Sequence, residues 1–157
     1  MTPLFMKDAV ITIDAADYQA ECSSAALTPS TSSTTWKGLT PTAVFTEAGA
    51  ATWVVDLTYA QDFNDPLSLG VFLFNHEGES VDMAFEPKAG GAGFTATVVI
   101  VPGAAGGTVD AFAESTVSLP VQGRPVLVPG VLAADESADV LDGRAARRGK
   151  VTDNVDA

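Results

Sequence analysis

Hydrophobic and polar residues alternate with a period of two along six segments of the chain. Strict alternation of this kind is typical of strands that bury one face. The predicted strands are 8–14, 21–27, 52–59, 80–86, 94–101 and 114–121, and the pattern is weakest in 21–27. Breaks rich in Gly, Pro and Asp separate them, which favours antiparallel pairing. The sequence therefore predicts an all-β fold, arranged as a sandwich or barrel.

One segment departs from the alternation and predicts a single short helix over residues 66–77. Asp65 is suited to cap its N-terminus, and Pro66 is suited to its first position. Gly78 would end the helix. The apolar residues at near-helical spacing, expected to pack on the sheet, are Leu67, Val71 and Phe74.

A polar segment of Ser and Thr, residues 28–35, leads directly into Trp36–Pro41. The segment has too few apolar residues to be buried, so we expect a long loop, a feature that is commonly functional or disordered. The indole at its end must cover apolar surface. Two alternatives stay open here: Trp36 packs on the core of its own chain, or it contacts a neighbouring molecule.

The length of 157 residues indicates one domain. A content of 46% hydrophobic residues excludes a wholly disordered chain, and no apolar run reaches the ~18 residues of a membrane-spanning helix. The first eight residues do not resemble a secretory signal, so we expect synthesis in the cytoplasm. We assign residues 1–130 to the β-domain and 131–157, which have no strand pattern, to a C-terminal extension.

The net charge of −12 restricts the kinds of partner that the chain can bind. Residues 1–130 contain fourteen acidic residues but only Lys7, Lys37, Lys88 and Arg124 as bases. Affinity for nucleic acid and for anionic membranes depends on clustered Lys and Arg, so neither is an expected partner. Solubility alone is a sufficient explanation of the acidity.

The residues needed for most catalytic and metal sites are scarce. Cys22 and His76 are the only residues of their types, so neither an internal disulfide nor a multi-cysteine zinc site is possible within the chain. His76 is expected in the last helical turn, near the negative end of the helix dipole. No nucleophile–base pair, phosphate-binding loop or metal-binding loop is evident. We expect no enzymatic activity, no cofactor and no metal.

The order and spacing of the segments resemble the major tail tube proteins of long-tailed bacteriophages, particularly those that infect actinobacteria. The resemblance covers about residues 5–126. The segments that carry it are Met6–Asp14, Asp17-Tyr18, Thr35–Pro41, Ala51–Leu57, Gln61-Asp62, Asn75–Gly78, Val81–Pro87, Ile100–Pro102, Gly106-Gly107, Ser118–Pro120, Gly123 and Pro125.

The resemblance implies a β-sandwich or barrel-like fold with one flanking helix and no catalytic residues. It also implies hexameric rings, stacked into a tube in the virion, through which the genome passes into the host. The expected partners are therefore other copies of the chain and further tail proteins, namely the tape measure, terminator and distal tail proteins. DNA would pass through without specific binding.

Two sets of residues follow as site predictions. The long loop of the family bridges subunits or rings, so the predicted inter-subunit contact is Trp36, Lys37, Gly38, Leu39 and Pro41. An acidic bore would repel DNA and keep it from adhering. The predicted lumen-facing acids, which alternate with apolar residues on strand faces without Lys or Arg, are Asp56, Asp82, Glu86 and Glu114.

Other functions remain open on the sequence. A tail terminator, a baseplate-hub domain or a capsid decoration protein would be alternatives within the virion. A monomeric β-sandwich that binds carbohydrate or protein is an alternative of another class, and such modules expose a cluster of aromatic residues. We expect only Trp36, Tyr18 and Phe45 to be placed for that role, with most other aromatic residues buried.

Overall fold

The computed structural model describes residues 1–130, which form nine strands and one short helix. This confirms the predicted all-β class with one helix. The predicted extension, residues 131–157, lies outside the described residues. The elements are β1 (Val10–Ile13), β2 (Ala16–Asp17), β3 (Cys22–Ser30), β4 (Ser33–Lys37), β5 (Val44–Ala48), β6 (Thr52–Ala60), α1 (Leu69–Asn75), β7 (Ser80–Glu86), β8 (Gly93–Val99) and β9 (Glu114–Val128).

Seven of these strands form one antiparallel sheet in the order β2-β1-β7-β8-β9-β6-β3. The other two, β4 and β5, pair with each other as a separate hairpin. Within residues 1–130 the sheet does not close into a barrel, because β2 and β3 at its two ends do not pair. The fold is therefore an open, curved sheet that covers its own core.

Strand β9 joins the two halves of the sheet. Residues Glu114–Pro120 pair with β6, whereas Val121–Val128 pair with β8. Within the pairing with β8, the register shifts at a bulge that contains Gly123, whose φ of 78° favours glycine. The sequence predicted the end of this strand at Val121, because the alternation stops there and the bulge residues resemble a turn.

The core confirms most of the alternation. Its buried residues come from the inner faces of both halves of the sheet and from α1, and they are Ile11, Ile13, Tyr18, Val55, Leu57, Tyr59, Leu69, Leu73, Met83, Phe85, Val98, Ile100, Val117 and Leu119. Successive buried residues of the same strand are two positions apart, as expected for side chains that share a face. The predictions for β6 and β7 were within one residue of the observed bounds.

The helix begins later than predicted. Ser68 is its N-cap, since its hydroxyl accepts a hydrogen bond from the Val71 N–H at 3.4 Å. Asp65 instead accepts from the Leu67 N–H at 2.9 Å and forms a turn before the helix. The predicted capping residue was therefore wrong, although the helix still ends before Gly78, whose φ is 81°.

The predicted apolar stripe of the helix was also wrong. Leu69 and Leu73 are fully buried against the sheet. Leu67 is 80% exposed and Phe74 is 69% exposed, although both were expected to face the core. Leu69 and Leu73 are four residues apart and share one helical face, whereas Phe74 lies about 100° further round the helix and Leu67 precedes its first residue.

The predicted polar loop at residues 28–35 is wrong as well. Strand β3 continues to Ser30 and β4 begins at Ser33, so most of this segment is extended and paired. Strands β3 and β6 lie opposite each other up to Ser30 and Thr52, and the β4–β5 hairpin continues beyond them. All ten residues of β4 and β5 are exposed, so they show no alternation from which a strand could have been predicted.

Candidate intermolecular contact site

The tip of the β4–β5 hairpin exposes two aromatic side chains that pack only loosely on each other. Trp36 and Phe45 are direct partners across the hairpin, and their ring centroids are 5.8 Å apart. Trp36 is nevertheless 62% exposed. Within the described part of the chain, the alternative that Trp36 packs on its own core is therefore wrong.

The turn of the hairpin explains the glycine beside Trp36. The Gly38 N–H donates a hydrogen bond of 2.7 Å to the Ala43 carbonyl oxygen and closes the turn. A Cβ on Gly38 would lie 2.8 Å from the Ala43 Cβ and 3.2 Å from the Trp36 ring. Glycine is therefore required where the indole lies over the turn. Pro41 lies in the same turn, and Leu39 is fully exposed at its end.

Lys37 gives the hairpin tip a positive charge. It pairs with Val44, one position along from Trp36, so its side chain lies on the other face of the hairpin. No other charged residue occurs between residues 31 and 46. The five residues predicted as an inter-subunit contact, 36–39 and 41, are thus brought together on one exposed tip. Whether this tip contacts another subunit stays a prediction.

Asp56 differs from the other predicted lumen-facing acids because it is bonded to both neighbouring strands. One carboxylate oxygen accepts a hydrogen bond of 2.9 Å from the Thr28 hydroxyl of β3. The other accepts a hydrogen bond from the Ser118 hydroxyl of β9. Asp56 is only partly exposed, and its side chain connects three strands of the sheet. This structural role accounts for the residue without any partner.

The four predicted acids lie in two pairs on the outer side of the sheet, one pair on each half. Asp56 and Glu114 lie on the outer face of the half formed by β3, β6 and the start of β9. Asp82 and Glu86 lie on the outer face of the other half, where Asp82 accepts a hydrogen bond of 3.0 Å from the Thr97 hydroxyl.

The prediction that the acids lie on strand faces without Lys or Arg is wrong for the face that carries Asp82. A cavity of about 500 Å³ on the outer face of the second half is lined by both Asp82 and Arg124, together with Thr97 and Gln122. Arg124 belongs to the part of β9 that the sequence did not predict as a strand. A positive charge on this face opposes the repulsion of DNA, which favours Asp56 and Glu114 as the lining acids.

The other ionisable groups of residues 1–130 form no group of three or more that could hold a metal ion. His76 Nδ1 lies 2.8 Å from Glu79 Oε2 just after the helix. Burial raises the pKa of the Cys22 thiol to about 11, and the Glu21 carboxylate adds to the effect. Burial likewise raises the pKa of the Tyr18 hydroxyl. The described residues include no helix with the length and apolarity to cross a membrane.

Several aromatic residues are not placed as the sequence predicted. Tyr18, expected to be loosely placed, is buried in the core. Phe63, Phe74 and Phe112 are exposed, although most aromatic residues outside the hairpin were expected to be buried. No signal in the sequence separates these residues from core residues, because Phe63 and Phe112 lie in irregular segments without a period.

Comparison with known proteins does not connect this site to a characterised one. The chain matches no protein-family model, and the curated proteins contain no relative with a significant match.

Proposed function

We propose that this chain is the structural subunit of a bacteriophage tail tube, which assembles into stacked rings that conduct the genome into the host. The observation that carries the proposal is the β4–β5 hairpin. It presents Trp36, Phe45 and Leu39 to solvent on an arm, at the residues where the resemblance implies a contact between subunits. Exposed apolar side chains on such an arm favour association, because burial of each one stabilises a contact by about 1.5–3 kcal/mol.

The free edges of the sheet support a ring. Among the described residues, β3 pairs with β6 on one side only, so a strand of nine residues presents an unpaired backbone edge. The two-residue strand β2 forms the opposite end of the sheet. Exposed edges of this kind tend to pair with other chains, and a ring of subunits that pair edge to edge removes them.

The presence of two different candidate contact surfaces supports stacking as well as ring closure. The hairpin and the edge of β3 are different surfaces of the chain. A contact between two unlike surfaces can repeat from one copy to the next. It gives a ring where the rotation between successive copies closes, and an open filament where it does not. A chain that has one surface of each kind is suited to rings that stack into a tube.

The acidity supports the role of a conduit. Residues 1–130 carry a net charge of −10, and the outer face of β3, β6 and β9 carries Asp56 and Glu114. DNA has about one negative charge per 1.7 Å of its axis, so a bore with the same sign of charge would let it pass without adhering. The position of this face in the bore is part of the proposal.

Electron microscopy of the purified chain tests the proposal directly. We expect rings or hollow tubes in negative stain when the protein is concentrated, and their absence in a Trp36→Ala variant at the same concentration. A matched Val126→Ala variant, which removes an exposed apolar residue from β9, should still assemble. A chain that stays monomeric at every concentration would contradict the proposal and favour a decoration protein or a monomeric binding module.

A further inference from the structure

Exposed apolar residues surround the helix at the end of the sheet opposite the hairpin. Leu67 and Phe74 lie on the solvent side of α1 and its preceding turn. The loop that contains the exposed Phe112 is held at the end of β6, because the Gln61 side chain donates hydrogen bonds of 3.0 Å to the carbonyl oxygens of Gly106 and Glu114. Without a partner, this surface leaves several large side chains in water.

A groove of about 440 Å³ opens on this surface between β2 and α1. Its walls are formed by Tyr18, Leu67 and Phe72, and the Tyr18 and Phe72 rings lie 5.9 Å apart. Asp17, Asn75 and His76 also line it, and His76 is paired with Glu79. The groove lies within the roughly 300–1,000 Å³ range of pockets that bury small molecules, which is ample for one bulky side chain. An aromatic residue entering it would meet other aromatic rings.

The charge around the groove is negative. Asp17 lines the groove itself. Further acidic residues near β2 and α1 along the chain are Asp14, Asp62, Asp65, Glu77 and Glu79, and Glu21 accepts a hydrogen bond of 2.7 Å from the Leu69 N–H of α1. None of the lysines and arginines of residues 1–130 lies among them. Lys7 and Lys88 lie near the ends of β1 and β7 that are far from the groove. Lys37 lies on the hairpin, and Arg124 lies on β9. The groove therefore favours a partner that is both aromatic and basic.

The hairpin of a second copy has these properties. Its tip carries Trp36 and Phe45 for the apolar walls, and Lys37 as its one charged residue. The hairpin of the same chain is too far away. The hairpin extends from the start of β6, whereas the groove lies beyond the end of β6. The nine extended residues of β6 between them span about 30 Å. The two surfaces can meet only between different molecules.

We propose that the groove between β2 and α1 of one copy receives the β4–β5 hairpin of another copy, with Trp36 packed against Tyr18, Leu67 and Phe72. Lys37, on the other face of the hairpin, then adds a positive charge that the acids near the groove attract. The contact joins opposite ends of two molecules, so it repeats in one direction and stacks them. This inference rests on the proposed function and names the surface that the hairpin binds.

Cross-linking between copies tests the contact. In a Cys22→Ser background, we introduce Leu39→Cys at the hairpin tip and Asn75→Cys at the groove, and treat the assembled protein with a flexible bis-maleimide. A head-to-tail contact links every copy to the next, so the double variant should give a ladder of covalent multimers. Each single variant should give dimers at most. A matched pair, Leu39→Cys with Val126→Cys on β9, should give no ladder.

A mixing experiment tests the same contact without cross-linking. Trp36→Ala should weaken association roughly thirtyfold or more, as for a central aromatic residue, and Leu67→Glu should weaken it similarly from the groove side. Because each variant retains the surface that the other lacks, their mixture should form complexes that neither forms alone. Val126→Glu, a change at a similarly exposed apolar residue on β9, should leave association unchanged.

The two proposals fail in different ways. Tubes that form normally from Leu67→Glu, or that give no ladder from the cysteine pair, would overturn the groove contact and leave the tube function intact. A wild-type chain that forms neither rings nor tubes would contradict the function itself. Mixed variants that stay apart while the wild type assembles would show that the hairpin binds a different surface, and would also overturn the groove contact.

Discussion

Asp56 on β6 and Thr28 on β3 are joined by a hydrogen bond of 2.9 Å between the carboxylate and the hydroxyl. The remaining carboxylate oxygen of Asp56 accepts from Ser118 on β9. The side chain thus connects three strands on the same outer face. An acidic residue that was predicted only from its position in an alternating strand contributes to the stability of the sheet.

Replacement of Asp56 by Ala should therefore destabilise the monomer. Hydrogen bonds to charged groups contribute about 1.5–3 kcal/mol each at most, and Asp56 is partly exposed, so we expect a loss of about 1–3 kcal/mol in the free energy of unfolding. Asp82→Ala is the control, because Asp82 is exposed and has one hydroxyl partner. Urea unfolding should show a larger loss for Asp56→Ala, and equal losses would contradict the structural role of its carboxylate.

Lysine at the predicted lumen-facing positions should interfere with passage of DNA. Asp56 and Glu114 lie on one half of the sheet and Asp82 and Glu86 on the other, so the two pairs can be tested separately. We expect Glu114→Lys to retain DNA in the tail or slow its ejection, with a smaller effect of Asp82→Lys beside Arg124. Normal ejection kinetics in both variants, in tails of normal length, would count against an acidic bore.

Trp36→Ala should impair assembly and leave the monomer folded. The indole is 62% exposed, and its main intramolecular contact is with Phe45. Its loss should lower the free energy of unfolding by about 1 kcal/mol or less. Chemical unfolding measures the free energy of unfolding, and sedimentation of the concentrated protein measures assembly. If stability falls as far as for a core variant such as Leu57→Ala, about 2–5 kcal/mol, then the indole packs on the core.

The position of the N-cap gives a paired prediction. Ser68→Ala should lower the free energy of unfolding by about 1 kcal/mol, the usual effect of losing an N-cap side chain. Asp65→Ala should have a smaller effect, because Asp65 caps only the turn before the helix. Thermal or urea unfolding of the two variants compares them directly. A larger loss for Asp65→Ala would mean that the helix begins at Pro66, as the sequence predicted.

Stability should also depend on pH through Cys22. Its pKa in the folded state is raised to about 11 from an ordinary value of 9.0, so the unfolded chain loses the thiol proton first. The stabilisation is complete below pH 9 and is lost as the pH rises towards 11. Urea unfolding across this window should show the decline, and Cys22→Ser should reduce it. A Cys22→Ser variant with the same slope would assign the decline to other groups, of which Tyr18 has a raised pKa.

The periodic parts of the chain were predicted well because their environment is asymmetric. Val55, Leu57 and Tyr59 alternate with Asp56 and Thr58, and the structure buries the first three in the core. In a strand with one buried face, hydrophobic and polar residues alternate along the sequence, because successive side chains point to opposite faces. The predictions failed where both faces have the same environment, as in β4, or where an apolar residue beside the buried face resembles a core residue, as Phe74 does in α1.

The sequence by itself determined the class of fold, the core faces of the main strands and the aromatic and basic composition of the hairpin tip. These are local properties, since each follows from a period or from a short run of residues. Only the tertiary structure decided that Asp56 and Asp82 lie on different halves of the sheet, that Arg124 accompanies Asp82, that Leu67 is exposed beside a groove, and that Phe74 is exposed. Those relationships depend on strand order and on the bulge in β9, which bring together residues far apart in the chain.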